Sequence, residues 1–274
     1  MAYSSLLQER RCTLHARIVD AIEGFYADRL ADQVERLAHH ALQGEVWDKA
    51  LAYCRQAGEK ALARSAHREA VGSFEQALRA LQHLPEQHNT YMQAIDLRLA
   101  LRNALFPSGD SGHTLAYLHE AESLAVALDD PCRPGQLSVF LSVHFRQFMG
   151  AHDQAIAAAQ RTLILATASG DVVLHALANF YLGAAHHAHG DYRWAIDCFR
   201  QTVAALDGAQ RHERLGLAIL PAVHSRAWLA VCYAELGEKL VAPDNACPIL
   251  THKSARSRLC SMARCVVAMA GEAH

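Results

Sequence analysis

Leu182-Gly183-Ala184-Ala185-His186-His187-Ala188-His189-Gly190-Asp191-Tyr192-Arg193-Trp194-Ala195-Ile196-Asp197-Cys198-Phe199 is the stretch whose reading decides the fold. Gly190 and Asp191 interrupt two runs rich in alanine and other helix formers, the punctuation of one helix ending and another starting. Gly183 lies before the break and Ala195 after it, so each arm offers a small residue where two antiparallel helices can approach closely. Tyr192 and Phe199 are large enough to fill the gap to a following pair. Such a hairpin cannot bury its apolar face alone and calls for stacked copies.

The copies are present. Leu182, Gly183, His186, Gly190, Tyr192, Ala195 and Phe199 keep the spacing of the seventh, eighth, eleventh, fifteenth, seventeenth, twentieth and twenty-fourth positions of the 34-residue tetratricopeptide repeat. A histidine takes the eleventh position, where a tyrosine is usual. Gly58, Ala70, Phe74 and Ala77 repeat part of the pattern, as do Gly109, Leu118 and Ala121, then Gly150, Ala155 and Ala159, and finally Leu229, Ala230, Tyr233 and Gly237. Spacing is irregular, with 40 residues from Gly150 to Gly190 and 47 from Gly190 to Gly237. Breaks near Gly44, Ser65, Pro85, Pro107 to Gly112, Pro131 to Gly135, Gly150, Gly170, Gly190 and Gly208 predict about eleven helices. The expected fold is all-α, an α-α superhelix (solenoid) of antiparallel tetratricopeptide-like hairpins.

Composition agrees. Of the 274 residues 51% are hydrophobic and only 7% aromatic, the bias of packed helices. Basic and acidic residues, 26 and 28, are interspersed, leaving neither a nucleic-acid footprint nor a membrane-attracting stripe. Residues 172–190 contain no Asp, Glu, Lys or Arg, yet Asn179 and four histidines argue against a membrane span. Eight cysteines lack any CxxC pair and read as buried thiols; with charge at Glu9, Arg10 and Arg11 ahead of any apolar run, a cytoplasmic location is expected.

Leu14-His15-Ala16-Arg17-Ile18, Ala21-Ile22-Glu23, Tyr26-Ala27-Asp28 and Glu35-Arg36-Leu37-Ala38-His39-His40 resemble the last helices of the ATPase module in large bacterial proteins that join a class III adenylate/guanylate cyclase, an AAA-type ATPase and a tetratricopeptide tail. Trp47-Asp48-Lys49-Ala50-Leu51, Gly170-Asp171-Val172-Val173 and Gly190-Asp191-Tyr192-Arg193 are similar to the repeat region that follows. The resemblance covers residues 4–237. It implies helices ending an ATPase module at 1–46 and a repeat array at 47–237, with cyclase or ATPase domains as partners in the same pathway. Residues 238–274 form an off-pattern tail: Pro243 falls where a helix interior is due, which costs about 3 kcal/mol. An altered reading frame or a variant cap would each account for it.

Catalytic signatures are missing. The chain has no GxxxxGK[ST] phosphate loop and no GxSxG nucleophile elbow, so no enzyme activity and no cofactor are expected. His186-His187-x-His189 could place two imidazoles on one helix face, but no second pair has ligand spacing, and surface or packing roles suit them better than a metal. The expected partner is a protein or peptide segment, with neither nucleic acid nor membrane. In such arrays the second, fifth, ninth and twelfth positions of each first helix line the concave face. Counting gives Leu137, Phe140, His144 and Gln147, then Leu177, Phe180, Ala184 and His187, a mostly apolar groove. The expected function is a non-catalytic interaction or regulatory module; an inactive fragment of a larger signalling protein and a small-molecule sensor are the alternatives.

Overall fold

Helix ends follow the turn chemistry of the sequence. Gly109, Gly150, Gly170, Gly190 and Gly237 adopt the left-handed conformation at their turns, while Glu45 and Ser65 adopt it without being glycine, at φ 54° and 57°. Ser65 stands at the fifteenth repeat position, where the 190 turn has glycine. The closing bond is shared: Ala66 N–H donates to Ala61 O at 2.9 Å, as Asp191 N–H does to His186 O at 2.9 Å. Asp110 and Asp171 cap the helices after them, accepting from the backbone N–H of His113 and Leu174 at 3.2 and 2.9 Å.

The computed structural model describes residues 2–128, 133–208, 212, 215 and 220–237, with side chains from residue 7 onward. Among them are eleven α-helices and no strand: α1 Ala2–Phe25, α2 Val34–Gln43, α3 Trp47–Ala63, α4 His67–Leu81, α5 His88–Leu105, α6 Ser111–Ala127, α7 Arg133–His144, α8 His152–Ser169, α9 Val172–His189, α10 Tyr192–Ala205 and α11 Pro221–Leu236. Short 3-10 segments cover Ala27–Gln33 and Phe106–Ser108, and a π turn covers Phe145–Met149. The expected all-α array of tetratricopeptide-like hairpins is what the chain forms. Gly135 lies inside α7, so the break predicted there falls before it. The expectations for the 238–274 tail lie outside the described residues.

Two compact units result, Met1–Asp129 and Asp130–His274. In the first, each helix from α1 to α6 packs on the next. Phe74, Leu97 and Leu101 are fully buried at its centre, with Ala50, Ala70, Ala77 and Ala80 letting the backbones close in. A Cβ on Gly58 would stand 2.5 Å from the Phe74 ring. Lys49 ties α3 to α1 through Asp20 and Glu23 at 2.8 and 2.7 Å, and the Tyr53 hydroxyl donates to Glu23. In the second unit α7 to α11 pack in succession, and α9 also touches α7 and α11, the neighbouring first helices. Phe199 fills the place of Phe74, and a Cβ on Gly183 would lie 2.9 Å from its ring.

Tetratricopeptide register thus acquires a mechanical meaning. Ala70, Ala155 and Ala195 are each fully buried in the second helix of a hairpin, and Leu182 is buried against Ala159 and Cys198. Tyr192 is half-buried, its ring 5.4 Å from that of His187. No helix among the described residues is long and apolar enough to cross a membrane.

Candidate functional site

Two hydroxyls set the register of the second unit. Thr202 donates to Ala176 O at 3.3 Å in α9, and Thr162 to Gly135 O at 3.2 Å in α7. Each threonine lies twelve residues past its turn glycine, Gly190 or Gly150. The acceptors are not equally placed: Ala176 is fourteen residues before its glycine and Gly135 fifteen. One additional residue in the α7 hairpin is taken up by the π turn, whose closing bond runs from Ala151 N–H to Phe145 O at 3.0 Å, one residue wider than the turn at Gly190.

Ser142, not Val143, therefore corresponds to Gly183. It is buried, and its hydroxyl donates to Ala155 O at 2.8 Å, satisfying in place the one polar group a serine brings to a close contact. By this register α7 offers Gln136, Val139, Val143 and Arg146 where α9 offers Leu177, Phe180, Ala184 and His187. Counting from Gly150 instead selects Leu137, Phe140, His144 and Gln147, which correspond to Ala178, Tyr181, Ala185 and Ala188. Of the counted set, Leu137 and His144 are buried, Phe140 is half-buried and Gln147 is exposed. On α9, Phe180 and Ala184 are buried, and Leu177 and His187 half-buried. Phe180 belongs to an aromatic cluster, its ring 5.1 Å from Tyr181 and 6.1 Å from Phe199.

The corresponding face of the first unit is open and polar. A cavity of about 750 Å³ is lined from α3 by Asp48, Leu51, Ala52, Arg55, Gln56 and Glu59, and from the start of α5 and its preceding turn by Gln87, Asn89, Thr90 and Gln93, with Leu84 and Pro85. Ala52, Arg55 and Glu59 hold the second, fifth and ninth repeat positions counted from Gly58. Arg55 and Glu59 pair with each other at 3.0 Å, so the cavity carries charge already balanced. Amide side chains supply both donors and acceptors, the equipment for meeting the backbone of an extended chain. Repeat counting from Gly58 reaches this site, because α3 has no inserted residue; its polar residues lack the apolar signal that marks the α9 stretch.

The remaining candidates separate. His186 faces Asp191 at 3.5 Å and stacks near Trp194; His189 reaches Asp191 at 2.9 Å and Asp153 at 3.6 Å; His187 packs against Tyr192 and Trp228. The three neighbouring imidazoles thus serve different contacts. Near the amino end His15 and His40 meet Nδ1 to Nδ1 at 2.8 Å, a pairing that needs one ring to donate and the other to accept. Burial, with His15, His39 and Arg36 nearby, pushes the His40 pKa down. Burial raises the thiols of Cys54 and Cys232 to about 12 and that of Cys198 to about 11, far from the range of a nucleophilic thiolate.

No known family profile and no curated protein sequence matches this chain. Solved structures do match its fold. A Rap protein complexed with Competence and Sporulation Factor aligns at 12% identity with a TM-score of 0.53, over 85% of this chain and 72% of that one. The apo form of RapI aligns at 8% identity with a TM-score of 0.59, over 84% and 72%. A signal transduction ATPase with numerous domains and a tetratricopeptide repeat sensor, from Pyrococcus horikoshii, aligns at 15% identity with a TM-score of 0.54; the match takes in 96% of this chain but only 41% of the ATPase.

Proposed function

We propose that this chain is a non-catalytic interaction module that receives an extended protein segment along the first helices of its hairpins. The observation that carries the reading is the cavity at Ala52, Arg55 and Glu59, where repeat register and open polar volume coincide. The Rap protein solved with a bound factor supports the same use of a similar fold. A photoreactive residue placed at Ala52 or Gln56 is expected to cross-link a partner that the second-helix positions Gln160 and Thr167 do not reach. Charge reversal at Arg55 and Glu59 together should weaken that product; equal labelling from all four positions would remove the reading.

A second reading, a sensor arm derived from a larger cyclase or ATPase signalling protein, is favoured by the partial match to the Pyrococcus horikoshii ATPase, whose repeat region is described as a sensor. On both readings no nucleotide chemistry is expected of this chain, whose sequence has no GxxxxGK[ST] phosphate loop. Saturable ATP binding at micromolar concentration would contradict them together.

A further inference from the structure

The inserted π turn carries a cation, Arg146, that pairs with no acid among the described residues. Arg146 lies in that turn, half-buried, and among the described residues no hydrogen bond or ion pair holds its guanidinium. Tyr181 on α9 is its polar neighbour. Burial and the Arg146 charge both disfavour a proton on His187, the residue that holds the matching position one hairpin on. The His187 Nε2 is itself buried without a hydrogen-bond partner. Trp228 of α11 stands 4.5 Å from the His187 ring and Tyr192 5.4 Å, walling it with aromatic surface. The acid within electrostatic reach of His187, Glu235, is exposed and forms no ion pair with Arg146.

An arginine cannot escape burial by losing its proton, so an uncompensated guanidinium in a partly dry site favours whatever anion fits against it. Its fork matches a carboxylate through two parallel bonds, and a neutral imidazole with hydrogen on Nε2 adds a third donor. π turns inside α-helices are frequent at functional sites.

We propose that Arg146 and His187 form a carboxylate-binding site on the inner face of the second unit, with Trp228 as its apolar wall. The carboxylate comes from an acidic side chain of a bound segment or from a small dicarboxylate; the first source alone rests on the interaction reading above. Arg146 stands eleventh by simple counting and twelfth by the observed register, so the site was hidden from a count of repeat positions.

Thermal unfolding at matched ionic strength tests this with succinate, with the peptide Ac-(Glu-Ala)3-NH2 and with its glutamine counterpart. Wild-type protein is expected to gain at least about 2 °C with a carboxylate and nothing from sodium chloride or the glutamine peptide. Stabilisation by succinate assigns a small dicarboxylate, whereas stabilisation by the glutamate peptide alone assigns a segment. Arg146→Met is expected to match or exceed the wild-type melting temperature without anion, because the stranded charge is gone, and to lose the response. Arg146→Lys, which keeps the charge but not the fork, decides the matter if the methionine variant fails to fold: its response should fall by half or more. An equal response in the variant that decides, or no response of the wild type to either carboxylate, overturns the site. Cross-linking at Ala52 that persists while these responses are absent removes the carboxylate site and leaves the interaction reading standing.

Discussion

The inner faces of α3 and α9 hold the same positions in their hairpins and present opposite chemistry. On α3 they are Ala52, Arg55 and Glu59, exposed, with the two charges neutralising each other. On α9 they are Leu177, Phe180 and Ala184, of which the last two are buried. What supports them is nearly identical: Gly58 under Phe74 in one hairpin and Gly183 under Phe199 in the other. The frame that closes two helices and the surface they display are therefore separable, and the same frame carries a polar cavity in one unit and an aromatic cluster in the other.

If the frames are equivalent, Phe74→Ala and Phe199→Ala should be the most damaging single changes, each costing about 3–5 kcal/mol by denaturant unfolding. A near-zero loss at either would break the equivalence. Phe180→Ala should also destabilise, by about 3 kcal/mol or more, because its ring is packed inside; Arg55→Ala on the matching α3 position should change stability by no more than about 0.5 kcal/mol. Glycine replacement is the next step down. Gly58→Ala and Gly183→Ala should each cost about 1–3 kcal/mol, with Gly58 the worse because its added Cβ meets the ring 0.4 Å sooner, at 2.5 against 2.9 Å. The reverse order would show that Phe74 yields more readily than Phe199.

Acidification reaches both units. Burial holds His40 in the first unit, and His187 and His224 in the second, below the ordinary histidine pKa. The unfolded chain then binds protons that the folded chain refuses, so stability is full above about pH 6.5 and declines as pH falls below it. Denaturant midpoints that rise between pH 7.5 and 5 would contradict the sign. The smallest expected effect lies in the turns: Ser65→Gly should stabilise by about 0.5–1 kcal/mol and Gly190→Ser destabilise by a similar amount, since both turns hold the left-handed conformation.

The frame was readable from sequence because its marks are residues of unusual size at fixed intervals. Gly183, Ala195 and Phe199 announce a close crossing and the ring that fills it; in the structure Gly183 lies against the Phe199 ring, and Ala195 and Phe199 are fully buried. The candidate face of α7 was not, since a count of residues assumes equal turns and the turn at Gly150 is wider by one. Ser142 was the available signal, a small residue one place before the expected position, but a lone serine in a helix does not show that it stands in for glycine. The division between the two units at 129 and 130 falls beside the Pro131 to Gly135 break, a mark that resembles the breaks between other helices and so does not by itself announce a boundary between units.

The wide turn after His144 has a consequence for how such a chain changes over time. Each residue in an α-helix rotates the direction of its side chain by about 100°, so an insertion within regular helix would swing every side chain on one side of it away from its neighbours. Drawn instead into a π turn, the added residue leaves Gly135 and Ser142 in contact with Thr162 and Ala155, and the Gly135 contact matches that of Ala176 with Thr202 in an uninserted hairpin. A repeat can thus accept a single extra codon without disturbing its packing, and obtain a new side chain at the mouth of the hairpin from an event that leaves the core untouched.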